Sequence, residues 1–147
     1  MQTKILPARR TTGSNKINAL VVCLILALLA LPAYALVRAS NWLDWRLLAG
    51  VPAVVSTCTF LAYRSDKRRA EAGAWRIPES TLHLAELMGG WPGGLIAQRM
   101  FRHKTAKRAY QAIFWAIVLL HQYLATDSLL GWKISTHAFQ FLRAQIT

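Results

Sequence analysis

Three observations predict an all-α integral membrane protein. Of 147 residues, 54% are hydrophobic, and the mean hydropathy is positive, well above a soluble average. The apolar residues fall in runs of membrane-crossing length. The charged residues are pushed to the ends of those runs, 18 Lys and Arg against six Asp and Glu, for a formal net charge of +12. The expected architecture is three transmembrane helices plus a fourth apolar segment, broken by Gly and Pro, that either spans or re-enters.

Residues 1–16 carry Lys4, Arg9, Arg10 and Lys16 among small polar residues, with no acid to offset them. Such a composition cannot build a core and predicts a basic flexible tail. From Ile17 to Val37 the chain is apolar apart from Asn18, and 21 residues at about 1.5 Å each match a bilayer core. A second reading of this stretch stays open: a basic start, an apolar centre and Ala33-Tyr34-Ala35 also fit a cleaved secretory signal. The run continues past the would-be cut, which favours an anchor.

The second span is Leu47 to Tyr63, uncharged and bounded by Trp42, Trp45 and Tyr63 as headgroup-level aromatics. Gly50, Ala53, Ser56 and Thr57 recur at helical spacing, the pattern that lets another helix approach closely. Beyond Tyr63 the helix can continue into water, where Lys67 and Glu71 form an i,i+4 pair and Gly73 is placed to end it. Residues 17–62 thus hold two helices that precede the most distinctive segment, 63–126.

In that segment Trp75 marks a return to the interface, and Pro78 with Glu79 suits a helix start. The predicted helix, Pro78 to Met88, places Glu79, His83 and Glu86 on one face of an otherwise apolar rod. Gly89 to Gly94, with four glycines and Pro92, should weaken or break the helix before Leu95 to Phe101 resumes it. Arg99, Arg102, His103, Lys104, Lys107 and Arg108 form a second basic cluster. Thr105 is a candidate cap for the last long helix, whose apolar centre Ala112 to Leu120 lies between Tyr110 and Tyr123. In the 127–147 tail, Ile134, Ala138, Phe141 and Leu142 permit a short interfacial helix.

Cys23 and Cys58 lie in apolar runs without metal or redox spacing and read as packing residues. No phosphate loop, nucleophile elbow or zinc-protease pattern is present, so no metal set and no cofactor are predicted. If the polar stripe is a site, His83, Glu86 and His103 are the candidate acid–base groups, with Glu79 and Asp66 nearby. The alternative is a helix lying at the interface with a wet stripe. Arg64, Lys67, Arg68, Arg69, Arg76, Arg102, Lys104, Lys107 and Arg108 are candidates for anionic lipid headgroups or a protein partner. The rival reading of these cations is plain topology signalling. A homo-oligomer is the other partner considered, and nucleic acid has only the charge to recommend it.

Taken in order, Asp66-Lys67, Trp75-Arg76-Ile77-Pro78-Glu79, Leu82-His83, Gly89-Gly90-Trp91-Pro92-Gly93 and His103-Lys104-Thr105 closely resemble the bacterial domain of unknown function 1294 family. The resemblance covers Tyr63 to about His121 and implies a membrane domain without a known activity. It marks Asp66, Lys67, Trp75, Arg76, Pro78, Glu79, Gly89, Gly90, Gly93, His103 and Lys104 as family-motif residues. Some members resemble fusions to an amino-terminal cold-shock domain, and residues 1–16 resemble at most the linker that would follow one. The expected location is the bacterial inner membrane, multi-pass, with the amino terminus cytoplasmic because the basic segments then face inward.

Overall fold

The computed structural model describes residues 19–42 and 44–146. The predicted basic tail and the first two residues of the first span lie outside them. The described residues form six α-helices and one π-type turn, with no strand among them. Helix α1 is Ala19–Ala39, α2 Trp45–Glu71, α3 Glu79–Ala85, α4 Trp91–Phe101, α5 Arg108–Leu129 and α6 Lys133–Ile146. Helices α1, α2 and α5 are each long and apolar enough to cross a membrane.

The fourth apolar segment does not form a fourth long helix. Helix α3 leaves the level of Asp66, where the Ile77 amide donates to Asp66 Oδ1 at 3.0 Å. It climbs along α2 to Gly89, whose carbonyl accepts from Ser56 Oγ at 3.4 Å. The chain then reverses through the π turn Glu86–Gly90, and α4 descends until the Phe101 carbonyl accepts from Lys67 Nζ at 2.8 Å. Both ends of the hairpin are therefore held by adjacent residues of α2. Lys67 also pairs with Glu71 at 3.7 Å, and Gly73 ends the helix in a left-handed conformation, both as predicted.

The break in the glycine-rich stretch is narrower than its composition suggests. Only Gly89, at φ 99°, leaves helical space, a conformation open to glycine and costly for most side chains. Helix α4 resumes at Trp91 rather than Leu95, with Pro92 in its first turn, where a missing donor costs nothing. Pro78 is the residue before α3, not its first helical residue, and Lys107 rather than Thr105 precedes α5, without a side-chain cap.

Two apolar clusters hold the hairpin against the long helices. Ile25, Trp91, Leu95, Phe114 and Val118 join α1, α4 and α5. Tyr63, Leu82, Ala97 and Tyr110 join α2, α3, α4 and α5. Pro32 in α1 removes one helical donor, and the Leu28 carbonyl this would leave bare accepts from Gln122 Nε2 of α5 at 2.8 Å. Gln122→Ala is expected to lower stability by about 1 kcal/mol, the loss of one such bond; thermal unfolding in detergent measures it.

These contacts give the bundle two ends. One, here the basic end, carries the carboxyl-terminal turns of α2, the 72–78 loop and the 102–107 loop. The far end carries Ser40 to Trp42 and the α5–α6 connection, where Arg38, Trp42, Leu129 and Trp132 line a common recess. There Asp127 Oδ1 accepts from the Ile134 amide at 2.9 Å and so caps α6. The apolar residues Phe139, Phe141 and Leu142 of α6 are exposed.

Candidate polar site

The hairpin carries its ionisable residues into the bundle, and two linked clusters result. The deeper one centres on Glu86, which has no exposed surface. Glu86 Oε1 accepts from Tyr110 Oη at 3.0 Å and from Tyr63 Oη, while Oε2 lies 2.8 Å from His83 Nδ1. Gln98 Nε2 donates to Tyr63 Oη at 2.9 Å. Gln111 Nε2 donates to Gln98 Oε1 at 2.6 Å, which extends the chain of hydrogen bonds toward the 102–107 loop. The His83 ring stacks on Tyr110 with centroids 4.1 Å apart.

Local packing explains why the carboxylate can sit there. Gly90 and Gly93 lie where a side chain would strike α2: a Cβ at Gly93 would stand 1.9 Å from the Ser56 carbonyl oxygen, and one at Gly90 2.0 Å from Thr59 Oγ1. The hairpin backbone thus lies directly on α2, and Glu86 reaches Tyr63 across that seam. Close approach at Ser56 was expected from the small residues of α2, but the hairpin supplies the glycine. Gly50 meets nothing within 4 Å.

The second cluster lies at the basic end around Asp66, also fully buried. Its Oδ2 is 2.8 Å from His103 Nε2, 3.2 Å from Lys104 Nζ and 3.5 Å from Arg76 Nη2. Lys104, held in a left-handed conformation at φ 62°, points inward: its Nζ is also 3.6 Å from Glu79 Oε1 and 4.8 Å above the Tyr110 ring. Lys107 Nζ closes the cluster at 2.6 Å from Glu79 Oε2. The hydrogen bond from Lys107, helped by the charges of Lys104 and Lys107, holds the Glu79 carboxyl below its usual range although burial pushes it the other way.

Of the candidate acid–base groups, His83 and Glu86 are paired, whereas His103 joins Asp66 in the other cluster. Glu79 lies on α3 with His83, and Glu86 follows in the π turn, but Glu79 turns to the lysines. The wet-stripe alternative does not describe this arrangement, since Glu86 is buried and the His83 side chain is only 13% exposed. Of the candidate lipid contacts, Lys104 is buried, with a side chain 3% exposed. Arg64, Arg68, Arg69, Arg76, Arg102, Lys107 and Arg108 are exposed, and Lys67 is half-buried. Trp75, beside them, is 87% exposed. Among the described residues no group of three or more His, Cys, Asp and Glu could hold a metal ion.

Sequence reasoning missed Tyr63, Tyr110, Gln98 and Gln111. Both tyrosines end apolar runs, the position of headgroup-level aromatics, yet neither is more than 1% exposed. The available signal was that Gln98 and Gln111 interrupt apolar helices, where a bare amide is costly.

Comparison with known proteins points at the same residues. The pattern of the family described as Protein of unknown function (DUF1294) matches residues 56–110. That interval runs from the serine beneath Gly93 to the tyrosine on Glu86 and contains both polar clusters apart from Gln111. Uncharacterized protein YsdA of Bacillus subtilis (strain 168) is 31% identical over 65 residues, which cover 44% of this chain and 73% of that protein. No solved structure matches the chain. With the family pattern laid over the hairpin and its α2 seat, and a relative matched over most of its length, this chain belongs to the DUF1294 family.

Proposed function

We propose that the protein is a multi-pass module of the bacterial inner membrane, amino terminus cytoplasmic, whose basic end holds anionic phospholipid headgroups. One observation carries the reading. Because the hairpin returns to the turn of α2 from which it started, Arg64, Lys67, Arg68, Arg69 and Arg76 share an end of the bundle with Arg102, Lys107 and Arg108. A spanning segment would have separated these clusters. Gathered at one end, they favour a cytoplasmic orientation of that end, and each cation near an anionic surface contributes about 1 kcal/mol. The buried ion cluster around Asp66 anchors the 102–107 loop and so fixes where the exposed cations stand.

Native mass spectrometry from mixed vesicles tests this. The protein should retain phosphatidylglycerol in preference to phosphatidylcholine. Arg68→Gln with Arg69→Gln, or Lys107→Gln with Arg108→Gln, should weaken that preference about fivefold or more per pair. Equal retention of the two lipids by the wild-type protein would sink the proposal.

A second reading has its own observation in support, the fully buried Glu86 in contact with His83. An ionisable pair at membrane depth is the usual mark of a proton or substrate path. In that reading His83 and Glu86 are the acid–base couple of a membrane-embedded enzyme or transporter. Proton flux into liposomes that Glu86→Gln abolishes would favour it, and flux indifferent to that change would remove it.

A further inference from the structure

The hairpin reaches only to Gly89, level with Ser56, so it fills the half of the bundle nearest the basic end. Toward the far end α1 stays packed on α5, but α2 makes little contact with α1 and less with α5. A cleft of about 360 Å³ is left above the hairpin tip, bounded by Leu29, Pro32 and Leu36 of α1, Pro52 of α2, Trp91 of α4 and Leu124 of α5. A second apolar cleft of about 280 Å³ shares Ala33 and Leu36 with it and continues between α1 and α2.

The lining carries no Lys, Arg, Asp or Glu, and two of its side-chain polar atoms are turned to their own helix. His121 Nδ1 donates to the Ile117 carbonyl at 2.8 Å, and Ser128 Oγ donates to the Ala125 carbonyl at 2.8 Å. The carbonyl of Gly89 is already engaged by Ser56. A polar ligand would find few partners here. On the membrane reading proposed above, on which this inference rests, the surroundings of the cleft on three helices of membrane-crossing length supply hydrocarbon rather than water.

We infer that this cleft is a lipid-binding site that takes an acyl chain of a phospholipid from the far leaflet, seated on the tip of the hairpin between α1 and α5. Its volume is within the range of specific ligand pockets, and the chain supplies packing contacts that α2 does not make with α1 and α5 at this level. The site is separate from the basic end in position and in the part of the lipid it recognises, so either can fail alone.

The test uses the full chain in liposomes containing a phospholipid with a photoactivatable diazirine midway along one acyl chain, followed by peptide mass spectrometry. Adducts should concentrate on residues 29–36 and 121–125. They should exceed those at the outward-facing Val51, Val54 and Leu119 by about fivefold, the ratio given by roughly 1 kcal/mol of preference. Ala33→Phe, at an exposed position on the rim, and Ala125→Phe, on the floor, should each abolish the excess while leaving outward labelling unchanged. The Ala33 variant keeps the test decisive if the buried Ala125 change unfolds the protein. Labelling that is uniform over all lipid-facing surfaces overturns the inference. So does an Ala33→Phe variant that loses adducts only because the protein changes its oligomeric state, which would assign the cleft to a second copy.

Discussion

Gly93→Ala is expected to cost about 3 kcal/mol or more and to leave little folded protein in detergent. The added methyl would meet the Ser56 carbonyl oxygen at 1.9 Å and the Ser56 carbonyl carbon at 2.7 Å. These are backbone atoms of a long helix, so no rotamer change relieves the clash and the hairpin itself must lift from α2. Overpacking of this kind lies at the upper end of the usual range. Lifting α4 also separates Glu86 from Tyr63 and exposes the seam. Gly50→Ala is the matched control, because a Cβ there meets nothing and a helical glycine is the poorer residue; its stability should hold or rise slightly. Yield and thermal unfolding of the two variants side by side give the comparison. A Gly93→Ala protein as stable as wild type would mean that the hairpin is not seated on α2.

Glu86→Ala is expected to cost about 3 to 5 kcal/mol, the range for removing one partner from a buried polar group of this type. Two buried phenols and a mostly buried imidazole lose their common partner. Glu86→Gln keeps an acceptor oxygen for the tyrosines and should cost less than half as much. His83→Ala combined with Glu86→Ala should be less damaging than the sum of the single changes, since each removes the other's partner. His103→Ala combined with Glu86→Ala should be additive to within about 0.5 kcal/mol, because His103 is bonded to Asp66 and shares no hydrogen-bond partner with Glu86. Strong coupling between His103 and Glu86 would show that the two clusters act as one unit, contrary to this account.

What could be read from the sequence followed from local physics. The lengths of α1, α2 and α5, the Lys67–Glu71 pair, the glycine end of α2 and the interruption at Gly89 all depend on neighbours a few residues away. Periodicity also put His83 and Glu86 on one face. It could not say whether that face was wet, because the answer lies in Tyr63 and Tyr110, which come from 23 and 24 residues away. A tyrosine at the end of an apolar run has the same composition whether it faces headgroups or a buried carboxylate. Only the docking of the hairpin on α2 decides between them. Lys104 shows the same limit: it sits in a basic cluster in sequence, yet the left-handed turn at its own position directs it beneath Tyr110 and onto Asp66.

The family-motif residues acquire physical roles in the same way. Asp66, Lys67, Arg76, Glu79, His103 and Lys104 form or adjoin the ion cluster that ties the two ends of the hairpin to α2. Gly89 supplies the reversal, and Gly90 and Gly93 supply the close contact. Trp75 stands exposed beside the cations, where an indole suits a membrane interface. In this chain those residues hold the hairpin and its polar seat against α2, with the long helices α1 and α5 packed around it.

The most direct test of that architecture is sidedness. With Cys23 and Cys58 replaced by serine, single cysteines at Ala74, Thr105, Ser40 and Lys133 would be probed in intact cells and in inverted membranes with an impermeant maleimide. The account predicts that Ala74 and Thr105 label from the cytoplasmic side and that Ser40 and Lys133 label from the opposite side. Ala74 and Thr105 labelling from opposite sides would mean that residues 78–101 cross the membrane, and would contradict both the hairpin and the basic end built on it.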